Sequence, residues 1–409
     1  MKNKKKKRVR ISKQNKKKKM RRERRARRER TRRERRNRRT RRERNRRERR
    51  KRRKRRPCHP KTSKPLVFVS NRMTGSETGT VSVINPCDLS KACAPIPVGT
   101  QPVGITIHDI PGKGLKVYVA NFGDDNNPGS VSVIDVKTCT VDATIPTGGN
   151  PVYIAIGTIP EGDNAGKTLA YVTNISGNRV FIIDTADNSL LGEVPAGPNP
   201  NGVAITPSGD EIYVTNFVDD PGTCTVINTT DNMIVATIDL INPANGNNLR
   251  NPLLIDIADI PGTGTRAFIA MNGSSSLLII DTVSKTVLRR RATAGPAPIG
   301  VRVSPDKSFL YLTDSEVLAD NPSQVCIFGT GDNIAPISTI PFNQGGLPLQ
   351  QRAEDIAFTS DGAKAFIPNS LTNNVSVIDV ATSTVKTVVD VGEGPMGVAI
   401  SPGNCNPSY

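Results

Sequence analysis

"GPNPNGVAITPSGDEIYVTN" occupies residues 197–216. It holds two short β-branched runs, "GVAI" and "EIYVTN", separated by "TPSGD", whose Pro, Ser, Gly and Asp are turn formers. The second run recurs along the chain as "LVFVSN" (66–71), "KVYVAN" (116–121), "LAYVTN" (169–174), "RAFIAM" (266–271), "FLYLTD" (309–314) and "KAFIPN" (364–369). After each comes another apolar run, such as "VSVID" at 131–135 and again at 375–379, then a third like "TVDATIP", then a turn and a run of the "GVAI" kind. Cutting before the "YVTN"-like run gives seven units, 66–114, 115–167, 168–210, 211–265, 266–308, 309–363 and 364–409. A sheet of four such runs cannot bury both faces alone, so the units must stack, and stacking around an axis leaves no outer face bare. The pattern predicts an all-β fold, a seven-bladed β-propeller of four-stranded antiparallel blades.

Local chemistry agrees with that plan. Asp135, Asp184, Asp281, Asp379 and Asn228 end the second run, where a side-chain oxygen can accept from backbone N–H groups of the next turn. Asn71, Asn121, Asn174, Asn216 and Asn369 are expected to do the same after the first run, with Met271 and Asp314 in their place in units five and six. Gly104, Gly202, Gly300 and Gly397 stand where the chain passes from the rim of one blade to the axis of the next, and a missing Cβ permits close approach there.

These units resemble the YVTN-type β-propeller repeat family, which is similar to surface-layer and lactonase-like propellers; the resemblance runs from 66 to 409. It implies that "GVAIS" (397–401) supplies the innermost strand of the blade whose other strands come from 66–98, so that both ends of the body latch the ring. It also raises a lactonase-like activity in the channel, although no motif marks the acid, base and Arg set such propellers use.

The rest of the chain is of another kind. Residues 1–56 carry 38 Lys+Arg against 5 Glu, a formal +33, while 57–409 carry 20 against 32, a formal −12. A polycationic tail (1–56) and a linker (57–65) therefore precede the propeller. In 21–56 every Glu has an Arg four residues on, which supports a helix, but there is no apolar face to dock. The tail is expected to be disordered alone and helical only against a polyanion. Arg21, Arg22, Arg24, Arg25, Arg27, Arg28, Arg46, Arg47, Arg49 and Arg50 would contact nucleic acid, polyphosphate or an anionic surface. Without aromatic residues the tail offers no stacking platform and no sequence readout. It holds no apolar run of the length an export signal or membrane span needs. That favours the cell interior or a spore-like assembly, whereas the resemblance implies the cell surface.

Residue counts remove several chemistries. The chain has no Trp, which argues against WD-repeat and quinone-docking propellers, and only two His, His59 and His108, too few for an imidazole-built metal centre. His108 reads as a turn residue. Two sets of inner positions stand out. Asp256 and Arg302 replace the small Thr106, Ala155, Ala204, Ala357 and Ala399 of other units, and Tyr153 and Asp355 replace Gly, with Arg352 and Glu354 adjoining. Charged groups near a narrow axis must be paired, so Asp256, Arg302, Arg352, Glu354 and Asp355 form either a structural ion-pair plug or a polar ligand site. Acidic loops hold Asp124 and Asp125, Asp219 and Asp220, and Asp314, Glu316 and Asp320, which read as solvated charge or a Ca²⁺ site without fixed ligand spacing. No other cofactor is expected. Of seven cysteines, Cys87 and Cys93 are spaced for a loop disulfide, and Cys139, Cys224 and Cys326 read as buried thiols.

The function expected from these features is a monomeric, non-catalytic binding or scaffold propeller, with a protein partner on its loop face and its tail on an anionic polymer. A lactonase-like hydrolase with its site in the channel is the alternative.

Overall fold

A computed structural model describes residues 64–73, 78–218, 220–315, 323–331, 334–342 and 351–405. Within them 28 strands form seven four-stranded antiparallel sheets, the blades of a propeller. Blade 1 is β28 (Pro395–Ile400), β1 (Val67–Asn71), β2 (Thr78–Ile84) and β3 (Ile96–Thr100), from the axis outward. Blade 2 is β4 (Pro102–Ile110), β5 (Gly114–Asn121), β6 (Ser130–Asp135) and β7 (Thr140–Pro146). Blades 3 to 6 repeat the order as β8–β11 (151–195), β12–β15 (200–239), β16–β19 (252–292) and β20–β23 (298–341), and blade 7 is β24–β27 (357–390). The pairing of β28 with β1 joins the two ends of the body.

The second strand of each blade is covered on both faces by neighbouring blades, so its apolar run need not alternate. All five residues of β1 and all seven of β9 (Thr168–Asn174) are buried. Outer strands such as β11 (Ser189–Pro195) are mostly open.

The "T" of the repeat has a definite task. Thr215 Oγ1 accepts the Gly202 N–H of its own blade at 2.9 Å and donates to Leu253 O of the next inner strand at 2.5 Å. Thr313 links Gly300 N and Glu354 O in the same way (2.7 and 2.6 Å), and Ser70 links Gly397 N and Val103 O (2.9 and 2.6 Å). The glycines permit this spacing: a Cβ on Gly202 would lie 2.4 Å from Leu253 O, and one on Gly300 2.4 Å from Glu354 O.

The aspartates act as expected. Asp135 Oδ1 accepts Lys137 N at 2.8 Å and Asp281 Oδ1 accepts Ser284 N at 2.8 Å. The asparagines do not. Asn71 Nδ2 donates to Thr80 Oγ1 and Ser82 Oγ (both 3.0 Å), and Asn216 Nδ2 to Thr223 and Thr225 (2.9 and 3.0 Å). These side chains point across to the next strand, not into the following loop. A glycine from the preceding blade closes over them, since a Cβ on Gly99 would sit 2.6 Å from the Asn121 side chain.

The cysteines also pair otherwise than their spacing suggests. Cys87 bonds Cys405, and Cys93 bonds Cys139. The loop between β2 and β3 sends its two thiols in different directions, one to the segment after β28 and one to the adjoining hairpin of blade 2. Cys139 is therefore a disulfide partner and not a buried thiol. Cys224 and Cys326 are free and buried, and burial pushes the Cys224 thiol up to about 12.

Candidate functional site

Seven inner positions are defined by register. Thr106, Ala155, Ala204, Asp256, Arg302, Ala357 and Ala399 each face the aromatic residue of the adjoining strand: Tyr118, Tyr171, Tyr213, Phe268, Tyr311, Phe366 and Phe68. Five of these positions, Thr106, Ala155, Ala204, Asp256 and Arg302, line a channel cavity of about 190 Å³ between the inner strands, whose polar lining is Thr106, Tyr153, Asp256, Arg302 and Asp355, with Ile154, Val203 and Leu254 among its apolar residues.

Three charges meet in this channel. The Arg302 guanidinium lies 3.6 Å from Asp256 Oδ1 and 3.4 Å from Asp355 Oδ1, and its Nε donates to Ile356 O at 3.1 Å. Asp256 Oδ2 accepts Val303 N at 2.8 Å, and Asp355 accepts Ile356 N at 2.7 Å and Val398 N at 3.5 Å. The bonds run from blade 5 to 6, from 6 to 7, and from 7 to 1, so each group holds the inner strand of the next blade. Blade 7 needs this help, because its inner strand β24 (Ala357–Phe358) is only two residues long.

Burial pushes the Asp355 carboxyl above the usual carboxylate range despite Arg302 and its N–H donors. Burial also works against the Arg302 charge, but Asp256 and Asp355 outweigh it and hold its proton.

Arg352 and Glu354 do not join the trio. Arg352 Nε sits 3.2 Å from Glu354 Oε1, which also accepts the Ser370 hydroxyl at 2.7 Å. Burial raises Glu354, against the pull of Ser370, Arg352 and Arg72. Arg72 is the member sequence reasoning missed. It donates to Gln101 Oε1 at 2.9 Å and lies 5.6 Å over the Phe122 ring. Its only sequence signal is a basic residue directly after Asn71, where other units have Phe122, Ile175 or Phe217.

The acidic-loop positions that are described are engaged locally or lie open. Asp124 Oδ1 is taken by Asn126 N and Asn127 N of its own loop, and Asp220 Oδ1 by Asn248. Asp125 is exposed. Asp314 is buried at the end of its strand and accepts Ala297 N at 3.0 Å. Asp219, Glu316 and Asp320 lie outside the described residues, as do His59 and the ten tail arginines. Among the described residues no group of three or more His, Cys, Asp or Glu is placed to hold a metal ion, and no helix is long and apolar enough to cross a membrane. His108 lies within β4, opposite Lys116, and not in a turn; burial lowers its pKa against the pull of Asp109.

No protein-family model matches the chain, and no curated protein matches it in sequence. Solved structures do. One is a protein of unknown function from Desulfotomaculum acetoxidans, 17% identical, with a TM-score of 0.62 over 84% of this chain and 100% of that one. Another is a 6-phosphogluconolactonase-like protein from Bacteroides uniformis, 16% identical, TM-score 0.61, covering 82% and 99%. A third is hydrazine synthase of Kuenenia stuttgartiensis, 19% identical, TM-score 0.60, covering 73% and 89%. The likeness is one of fold. Seven-bladed propellers of the 6-phosphogluconolactonase type share this architecture, and at such identities the chemistry of the channel must be argued from its own residues.

Proposed function

We propose that this chain is a non-catalytic binding propeller of the YVTN-repeat type, tethered by its basic tail to an anionic polymer or surface, with a protein partner on its loop face. One observation carries the reading: Arg302, the cation in the channel, is committed to Asp256, Asp355 and Ile356 O. A hydrolase acting on a phosphosugar lactone needs a cation free for the phosphate. Two carboxylates and one guanidinium leave an acidic excess that repels such a substrate. The cavity of about 190 Å³ is also smaller than the roughly 300 Å³ at which small-molecule pockets begin.

The fold likeness to 6-phosphogluconolactonase-like proteins keeps a hydrolase as the second reading. The tether rests on the formal +33 of residues 1–56. Two disulfides favour an oxidising compartment over the cell interior.

The test compares the full chain with residues 64–409 on immobilised polyphosphate and in a lactone-hydrolysis assay. The full chain is expected to be retained at about 0.1 M salt and released by about 1 M. The shorter form should flow through, and neither should open lactones. Equal retention would end the tether. Lactone turnover that Arg302→Ala abolishes would install the hydrolase.

A further inference from the structure

The rim of the propeller is guarded unevenly. In the outer strands of blades 2 to 7 a bulge leaves one exposed residue unpaired. Ile182 faces Gly192 while Ile183 faces Leu190, which leaves Leu191 unpaired, and the same shift in blade 4 leaves Val235. At the equivalent position blade 2 has Asp142, held by Lys116, and blade 7 has Lys386. Charges and bulges at an outer strand are the usual defence against unwanted pairing. Blades 3 to 6 keep the bulge and discard the charge, with Leu191 47%, Val235 48%, Leu288 42% and Ile337 55% exposed; beside Leu288 in blade 5 stand Arg289, Arg290 and Arg291, whereas in blades 3 and 4 the open neighbours are the apolar Leu190, Met233 and Ile234.

These blades are neighbours, and the Tyr171 hydroxyl of blade 3 donates to Asn232 in the turn that carries Met233. They are also where the body's negative charge collects. Residues 168–239 contain nine Asp or Glu and one basic residue, Arg179, already paired with Glu193. That is a formal −8 of the −12 carried by 57–409. Asp187 and Asp231 stand at the head of the two exposed runs, each turned onto its own hairpin.

We propose that the outer edges of blades 3 and 4 form a docking surface for an extended cationic segment of another protein, in which apolar side chains alternate with Lys or Arg. Such a segment has a period that suits an open strand edge, apolar groups for the side chains around Leu191 and Val235, and charges opposite in sign to the carboxylates. A nucleic acid or an anionic lipid surface would be repelled by the same carboxylates. The surface is separate from the channel and from the loop face, so its failure leaves the proposed tether untouched.

The experiment measures binding of the full chain to a labelled peptide of about twelve residues in which Lys alternates with Leu. Controls are an equally charged Lys/Ser peptide and phosphatidylcholine vesicles. The Lys/Leu peptide should bind at least about tenfold more tightly than the Lys/Ser peptide. Leu191→Ser/Val235→Ser should weaken it by about tenfold with Tm unchanged, since both side chains are exposed. Leu191→Lys/Val235→Lys, which copies the solution of blade 7, should abolish binding. Equal affinity for both peptides, undiminished binding by either double variant, or vesicle binding lost in the same variants would overturn the proposal.

Discussion

The Thr215 hydroxyl shows how much one atom does here. It accepts from Gly202 N and donates to Leu253 O, and the Thr215 side chain itself is fully buried. Thr215→Val keeps shape and removes both bonds, leaving the buried Gly202 N–H and the half-buried Leu253 O without this partner. The expected loss is roughly 1–3 kcal/mol by urea denaturation. Blades 2 and 5 carry Ala120 and Ala270 at this place, so the ring tolerates the omission singly. Asp355 makes a different prediction. Its folded pKa lies above the unfolded value because burial disfavours the charged form. The folded state therefore binds the proton more tightly, and the stability this contributes is present below about pH 4 and lost as pH rises through the folded pKa. Asp355→Asn has no such proton, so the stability of wild type minus variant should fall across that window and then level, each unit of pKa elevation being worth about 1.4 kcal/mol. A flat difference between pH 4 and 8 would show that Asp355 titrates normally.

At the scale of the element, Asp256, Arg302 and Asp355 are clamps between inner strands before they are anything else. Arg302→Ala leaves two carboxylates facing each other in the channel. Its cost should be roughly 1–3 kcal/mol, below the usual figure for a fully buried pair because the Arg302 side chain is 39% exposed. Adding Asp355→Asn should restore part of the loss, which chemical denaturation of the two variants would reveal. A variant that keeps full stability while losing a ligand would instead make the channel a binding site. Elements were the part most legible in the sequence, because strand period, turn residues and the Asp that ends the third strand of blades 2, 3, 5 and 7 are local. The clamps were half legible. An Asp or Arg where other units have Ala announces itself, but that Arg302 and not Arg352 would reach Asp355 depends on which way each backbone faces. The asparagines misled for a related reason: the acceptor-rich side chain suits a turn, yet the hydroxyls at alternate positions of the next strand, Thr80 and Ser82, offer a buried pair of partners.

The body of the chain is a ring, and a ring fails where it is closed. Blade 1 draws its inner strand from 395–400 and the rest from 67–100, held by β28 against β1, by Ser401 N to Leu66 O at 2.9 Å and Leu66 N to Ser401 Oγ at 2.8 Å, and by Cys87–Cys405. No window of sequence contains both partners of that disulfide, which are 318 residues apart, so spacing pointed to the nearby Cys93 instead. The two bonds divide the task. Cys93–Cys139 spans 46 residues and ties blade 1 to blade 2, while Cys87–Cys405 encloses nearly the whole propeller. In the chain-entropy account the longer loop stabilises more, by about 2 kcal/mol for this ratio of lengths. Cys405→Ser should therefore lower Tm further than Cys93→Ser, and dithiothreitol should bring wild type below either variant. Deleting 395–409 takes away strand, hydroxyl and thiol together, exposing one edge of β1 and the blade faces that β28 covered. That form should lose the cooperative transition altogether, followed by far-ultraviolet circular dichroism on heating. A deletion that melted as sharply as the full chain would mean that six and three-quarter blades stand without closure, and the latch would then be an ornament of the fold and not its keystone.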